Sequence, residues 1–181
     1  MLRKTMLLAA LLVLLPGMGD AQTPGINYYP GVTSKVLAAA VPAVATSGTS
    51  EEVLYTYSLP GGMIGKDGDT LQLLFTGQTA ANGNTKTARF RIGGIGGASV
   101  CGISAASNNQ AISCLAFCQR TSSSTMSCWT AGFLAASIQG SSSTVTGQNF
   151  AAATSIVVTG TTTTAAGDLT INSVMISKLG L

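Results

Sequence analysis

Short segments in which apolar residues alternate with polar ones recur from Glu51 to the end of the chain, and they restrict its fold more than any other feature. In "VLYTYSL" every second residue is apolar, which is the period of a strand with one buried face. Turn-rich stretches such as "ASNNQ", "RTSSST" and "GSSS" separate these segments. The sequence therefore predicts an all-β fold, an antiparallel β-sandwich with a jelly-roll-like arrangement.

The last alternating segment, "DLTINSVMISKL", changes phase in its middle. Leu169 and Ile171 share one face, whereas Val174 and Ile176 fall out of phase with them. One extra residue in the strand restores the phase. We therefore predict a β-bulge near Asn172-Ser173.

The dipeptide Asn82-Gly83 is the strongest local hairpin signal in the chain, because a type I′ turn needs positive φ at both central residues. With this pair at the tip, Phe75 lies opposite Phe90 and apolar residues fall on one face. The turn and the alternation agree on this register. We predict that this hairpin sets the register of the sandwich and that Phe75 contacts Phe90.

Three basic residues follow the predicted turn. Lys86 shares the face of Phe90, so its ammonium either reaches turn carbonyls or solvent, or lies half-buried and bonds to Asn side chains at the sandwich edge. Arg89 and Arg91 share the polar face. They are candidates for contact with a glycan or a neighbouring subunit, and a simply solvated face is the alternative.

The N-terminal residues 1–21 have the layout of a secretory signal peptide. A basic start precedes the apolar run Met6–Leu15, and small residues follow up to Ala21. We predict a hydrophobic leader helix that is cleaved after Ala21. The run is too short to span a bilayer core of about 30 Å, so we expect no stable membrane anchor, although retention as an anchor is the alternative.

Residues 22–50 hold three of the five prolines and have no sustained period. We interpret them as an extended arm or linker with a short helix near Lys35 to Ala40. The predicted domain organisation is thus a leader at 1–21, an arm at 22–50 and a β-sandwich at 51–181.

Four cysteines follow the predicted hairpin, and export to an oxidising compartment favours their pairing. A hairpin turning around Ser107-Asn108 and a second one centred on Ser123 each place two cysteines opposite each other, within bridging reach. The predicted pairs are Cys101–Cys114 and Cys118–Cys128. Four free thiols in a cytoplasmically assembled particle are the alternative.

Side chains that carry chemistry are scarce. The sequence has no histidine, which excludes Ser-His-Asp and Cys-His catalysis. Asp67 and Asp69 fit a turn, with a role as metal ligands as the lesser alternative, and Glu51 with Glu52 fits the solvated start of a strand. The run Gly93–Gly97 lacks the Lys-Ser/Thr of a phosphate-binding loop. We expect no catalytic residue, cofactor or metal. With a net charge of +3 and scattered basic residues, we also expect no nucleic-acid partner.

Several motifs together resemble a β-sandwich module of tailed-bacteriophage structural proteins. They are "LYTYSLP", "DGDTLQL", "AANGNTKTARFRIGG", a Trp at the start of a later strand (Trp129) and the closing "AAGDLTINSVMISKL". The resemblance covers Glu51 to Leu181. It implies a virion tail, fibre or surface component that works by assembly with itself and other virion proteins, and fibre-like modules of this kind favour trimers. It carries over no catalytic residue.

Two functional interpretations stay open. The first is a non-enzymatic virion protein, located in the particle. The leader and the cysteines instead favour a secreted β-sandwich binding module, an adhesin or a carbohydrate-binding protein, released after cleavage near Ala21. Both interpretations need only a rigid β-frame with exposed surfaces.

Overall fold

The protein is described by a computed structural model that covers residues 33–106, 108–134, 137–164 and 166–180. The leader and the first part of the arm lie outside the described residues. No helix in these ranges is long and apolar enough to cross a membrane. The strands are β1 (Thr33–Ala40), β2 (Val44–Ala45), β3 (Glu52–Leu59), β4 (Thr70–Thr79), β5 (Lys86–Ile92), β6 (Ala98–Ala105), β7 (Ala111–Ser122), β8 (Thr125–Leu134), β9 (Ser137–Val145), β10 (Thr154–Thr162) and β11 (Leu169–Gly180).

The strands form two antiparallel sheets that pack face to face, so the predicted β-sandwich is confirmed. The large sheet has seven strands in the order β1-β11-β4-β7-β8-β9, with β2 beside β11. The small sheet has four strands in the order β3-β10-β5-β6. Strands that follow one another in the sequence therefore often lie in different sheets, and local sequence patterns do not reveal this.

The core lies between the two inner faces. Along β4 the inward residues are fully buried while their neighbours are only half-buried, as the alternation predicts. The small sheet contributes the opposing layer from β5 and β10. Burying each such large side chain stabilises the fold by about 1.5–3 kcal/mol. Large, fully buried members of this core from β4, β5 and β10 are Leu71, Leu73, Phe75, Phe90, Ile92 and Ile156.

The prediction of a hairpin at Asn82-Gly83 is wrong. Strand β4 pairs with β11 and β7, whereas β5 pairs with β10 and β6, so the chain crosses from one sheet to the other between Thr79 and Lys86. Asn82 and Gly83 are both described, and neither is among the residues with positive φ. The physical reason is that both edges of β4 are already occupied, which leaves no hydrogen-bonding edge for β5.

Phe75 and Phe90 nevertheless touch, with ring centroids 5.3 Å apart. Phe75 lies opposite Cys114 within the large sheet, and Phe90 lies opposite Cys101 within the small sheet. The predicted contact is therefore confirmed, but it joins the two sheets across the sandwich rather than two strands of one hairpin.

The predicted bulge in the last strand is confirmed. The pairing of β11 with β4 shifts between Ile171 and Ser173, so Asn172 is the additional residue. The shift lets Ile171, Val174 and Ile176 all face the core, where each is buried. Burial of one continuous apolar face thus determines where the strand bulges.

The described part of the arm is extended, so the short helix near Lys35 to Ala40 is wrong. Strand β1 pairs with β11 from Thr33 to Ala40, and β2 adds two further residues to the same edge. The segment "KVLAAA" has good helix formers, but strand β11 offers a free edge that satisfies its backbone groups. Tertiary pairing overrides local propensity here.

The stretch "GSSS", whose composition predicts a turn, lies inside strand β9 instead. This strand pairs with β8 from Ser137 to Val145 without a register shift. Gly and Ser favour turns only through local backbone preferences. The adjacent edge of β8 supplies a continuous set of partners, and that pairing decides the conformation.

Candidate interaction surface

The outer face of the large sheet carries the largest exposed aromatic side chain of the described residues. Trp129 projects from β8 with 57% of its surface exposed, because the inner face of that strand is filled by Met126 and Cys128. Phe117 lies directly opposite Trp129 on β7, with ring centroids 6.2 Å apart. The two rings form an aromatic pair on an otherwise flat sheet.

The strands beside this pair contribute small or neutral polar groups. Ser142 of β9 lies opposite Trp129, and Gln72 of β4 lies opposite Phe117. In the next row, Ala131 lies opposite Gly140, so only small side chains stand beside the indole on the side of β9. The arrangement leaves more than half of the surface of Trp129 open to a partner.

Among its described positions, the outer face of the large sheet contains no Asp, Glu, Lys or Arg. The inward side chains Lys178 and Arg120 reach the end of the sandwich instead, where they bond to Asp69 and to the Ile64 carbonyl. We call the outer face of the large sheet the neutral face. Its large apolar side chains include Leu74, Leu115, Phe117, Trp129, Phe133, Ile138 and Met175.

The outer face of the small sheet is charged and internally paired. Arg91 donates two hydrogen bonds to Glu51, from Nε to Oε1 at 2.8 Å and from Nη2 to Oε2 at 2.9 Å. Thr159 donates to the same carboxylate at 2.6 Å, and Arg89 lies 3.5 Å from it. Neither arginine is simply solvated, and Glu51 is not the solvated strand start that the sequence suggests.

This pairing holds the pKa of Glu51 below its ordinary value. The hydrogen bonds from Arg91 are the main cause, and they outweigh the effect of partial burial, which would raise the pKa. Arg91 also donates to the Gly97 carbonyl at 2.9 Å. The predicted contact residues Arg89 and Arg91 are thus engaged within the chain, which leaves them less available to a glycan.

Lys86 is buried, with 1% of its surface exposed, and its Nζ donates to the backbone carbonyl of Asn82 at 2.5 Å. The turn carbonyl is the partner that the first interpretation named, although the ammonium does not reach solvent. The Asn side chains bond elsewhere: Nδ2 of Asn82 and Nδ2 of Asn84 donate to the two oxygens of Asp168. These hydrogen bonds hold the segment between β4 and β5, which connects the two sheets, against the residue that precedes β11.

The same contacts keep Asp168 ionised. Hydrogen bonds from Asn84 and Asn82 lower its pKa, and the nearby charge of Lys86 acts in the same direction. The motif around Asn82 therefore has a structural role that hairpin chemistry did not reveal. The signal that could have revealed it is the coincidence of two Asn and one Lys with a distant Asp, which single-sequence reasoning does not connect.

Asp67 and Asp69 belong to the loop before β4. Asp69 accepts hydrogen bonds from the amides of Gly65 and Lys66 and pairs with Lys178 at 3.2 Å. Burial would raise the pKa of Asp69, but these contacts more than offset it and the pKa is lowered. Asp67 pairs with Arg120. In the described ranges, no three His, Cys, Asp or Glu residues lie together as a metal site would require.

The cysteines lie in the two predicted pairs. Cys101 and Cys114 have Cα atoms 6.4 Å apart, and Cys118 and Cys128 have Cα atoms 4.0 Å apart. The hairpin between β7 and β8 places the second pair as expected. The expected hairpin around Ser107-Asn108 is wrong, because β6 and β7 lie in different sheets and the first pair crosses the core. Oxidation in the natural compartment stays a prediction.

A shallow groove of about 260 Å³ lies beside the glycine-rich run. The amides of Gly93 and Gly94 both donate to the Ser155 carbonyl, at 2.8 and 3.2 Å, so they are not free to bind a phosphate. The run connects β5 to β6, as an inter-strand loop does. Other residues that line the groove are Gln148, Asn149, Ala152 and Thr154.

No protein-family profile and no curated protein sequence matches the chain. Among solved structures, it is similar to the CBM2 module of the evolved Dit of Lactobacillus casei BL23 phage J-1. The identity is 10% and the TM-score 0.39, over 70% of this chain and 69% of that one. It is also similar to infectious bursal disease virus Gx strain, at 12% identity and a TM-score of 0.37 over 81% of this chain. The chain spans about a third of the length of that protein.

Proposed function

We propose that this protein is a non-enzymatic structural component of a phage virion, a tail, fibre or surface module that acts by assembly with copies of itself and with other virion proteins. The observation that carries the proposal is the neutral face, with Trp129 exposed on β8, next to the edge strand β9. Contiguous exposed apolar surface of this kind marks protein interaction sites, and aromatic residues with few charges are typical of interface cores. The phage-type motifs between Glu51 and Leu181 support the virion setting.

The chemistry of the carboxylates supports a role without catalysis. Glu51, Asp69 and Asp168 each accept hydrogen bonds from fixed partners, and the pKa of each is lowered. A general acid needs a carboxyl whose pKa is raised towards the working pH. These three groups are arranged as hydrogen-bond acceptors that hold loops and strands in place.

Mass spectrometry of purified particles from the source, together with light scattering of the purified full chain, tests this proposal. We expect the chain among the particle proteins and an oligomer in solution. Absence from particles combined with a strictly monomeric chain would overturn it and leave a secreted protein as the better account.

A second function, that of a secreted carbohydrate-binding module, is favoured by one specific observation. The exposed Trp129–Phe117 pair has the hydroxyl of Ser142 on one side and the amide of Gln72 on the other, rather than charged groups. An amphipathic aromatic ring beside neutral hydrogen-bonding groups suits an uncharged sugar, whose ring faces are apolar and whose edges carry hydroxyls.

Trp129 is the sole tryptophan of the chain, so its fluorescence reports directly on this surface. Titration with neutral oligosaccharides should shift or quench the emission if this second function holds. Emission that stays unchanged across cello-, chito- and manno-oligosaccharides would remove the support that Trp129 gives to it.

A further inference from the structure

Among the described strands, four form the edges of the sandwich: β1 and β9 in the large sheet, and β3 and β6 in the small sheet. An open edge presents unpaired backbone N–H and C=O groups, and proteins usually interrupt it with a bulge, a proline or a charge. Comparing the four edges therefore shows which one is protected against pairing and which one is not.

Three of these edges are interrupted by a bulge. The pairing of β1 with β11 shifts between Val36 and Ala38. The pairing of β10 with β3 shifts so that Leu54 is the additional residue, and the pairing of β5 with β6 shifts so that Val100 is the additional residue. Strands β1 and β3 also carry a charged residue, Lys35 and Glu52 respectively.

Strand β9 has no bulge, no proline and no charged residue. Its nine residues, Ser137–Val145, pair with β8 in one continuous register and include no proline and no charged residue. Ile138 on this strand is 70% exposed. Its centre consists of Gly140, Ser141, Ser142 and Ser143, whose small side chains let another backbone approach closely.

We propose that β9 pairs antiparallel with β9 of a second copy of this chain, so that two large sheets join into one. The proposal rests on the assembly function proposed above and names the surface that carries it. A second copy fits because two identical neutral strands meet without charge repulsion, and a two-fold axis between them generates an antiparallel pair. The joined sheets also make the two neutral faces continuous, since Ser142 lies beside Trp129 in the same row.

Full overlap of the two strands fixes the register. Ser141 lies on the two-fold axis, and Ser142 lies opposite Gly140 of the second copy. The two copies of Ser142 are then diagonal neighbours about 7–8 Å apart on the neutral face. A lysine at this position in both copies places like charges within the screening length of about 8 Å at physiological salt.

The test uses the purified full chain and its Ser142→Lys and Ser142→Asp variants in size-exclusion chromatography with light scattering. We expect an even-numbered wild-type oligomer, and half its molar mass for each variant alone. An equimolar mixture of the two variants should recover the wild-type mass, because each interface then contains one lysine and one aspartate. Ser34→Lys, at an exposed position of the opposite edge strand β1, is the matched control and should retain the wild-type mass.

Hydrogen exchange of β9 amides in the wild-type chain gives a second readout that does not depend on the variants. Protection should rise with protein concentration in β9 and stay constant in the small sheet. A wild-type monomer or strict trimer, an unchanged Ser142→Lys mass, or equal disruption by Ser34→Lys would each overturn the β9 pairing. None of these results alters the particle mass spectrometry, so the two proposals fail separately.

Discussion

The outer faces of the two sheets handle exposure to water in opposite ways. On the small sheet, Glu51 accepts two hydrogen bonds from Arg91 and one from Thr159, so its charge is balanced inside the chain. On the large sheet, the indole of Trp129 stands exposed above a surface without charged groups at its described positions. The charged groups of the first face are paired with one another, whereas the apolar surface of the second face stays uncovered.

This difference indicates where a partner gains most from binding. Covering the small sheet would cost the desolvation of a paired carboxylate and two guanidinium groups. Covering the neutral face removes apolar surface from water, at about 25 cal/mol per Å², and leaves few polar groups to re-pair. Recognition is therefore expected on the large sheet, and the small sheet serves to stabilise the frame.

The largest effect on stability is expected from a substitution in the core between the two sheets rather than on either outer face. Phe75→Ala removes a fully buried ring that contacts Phe90 across the sandwich, which should cost about 3–5 kcal/mol. Val53→Ala, on the outer side of the small sheet, is the matched control and should stay within about 0.5 kcal/mol. Urea unfolding measures both, and equal losses would contradict the assigned core.

The cystine that crosses the core should have the next largest effect. Replacing both Cys101 and Cys114 by Ala should cost about 2–4 kcal/mol, because the unfolded chain loses a covalent constraint. The same replacement at Cys118 and Cys128 is the matched comparison within one sheet. A wild-type unfolding midpoint that does not respond to reductant would show that neither pair is oxidised.

The charged face should respond to pH. Glu51→Gln removes charge-assisted hydrogen bonds and should cost about 1.5–3 kcal/mol at pH 7. The folded pKa lies below the ordinary value of 4.5, so ionised Glu51 stabilises the fold above that pH and the contribution is lost as the pH falls through the folded pKa. The difference between wild type and variant in urea unfolding should therefore shrink on acidification, and a constant difference would exclude the ionic role.

The sequence predicted those features of the fold that depend on neighbours along the chain. Alternation identified the inward residues of β4, and the phase change in β11 located the bulge at Asn172. Both follow from the need to bury one side of each strand. Strand partners were missed because β4 pairs with β11, about a hundred residues away, and no local pattern encodes such a contact.

The sequence did not reveal the neutral face, and the reason is different. In β8 the outward residues Trp129 and Phe133 are larger and more apolar than the inward Thr130 and Gly132. Alternation alone would assign the larger set to the core, so the pattern does not tell which side is exposed. The aromatic pair became recognisable as a surface only after the packing of the sheets placed it outside.

The smallest effect on stability, and the largest on recognition, is expected at Trp129. Because more than half of its surface is exposed, Trp129→Ala should lower the free energy of unfolding by only about 0.5–1.5 kcal/mol, mainly through the lost contact with Phe117. The same change removes the largest apolar group of the neutral face, so incorporation into particles, or oligosaccharide binding under the second function, should fall sharply.

Val53→Ala sharpens this last test, because Val53 is an exposed apolar residue on the opposite, charged face. If both substitutions cost no more than about 1.5 kcal/mol of unfolding free energy but only Trp129→Ala weakens recognition, the neutral face recognises the partner and the charged face does not. If Trp129→Ala lowers the free energy of unfolding by several kcal/mol, the indole stabilises the fold rather than serving recognition. If both variants retain full recognition, binding depends on neither ring nor face, and the contrast between the sheets reflects stability alone.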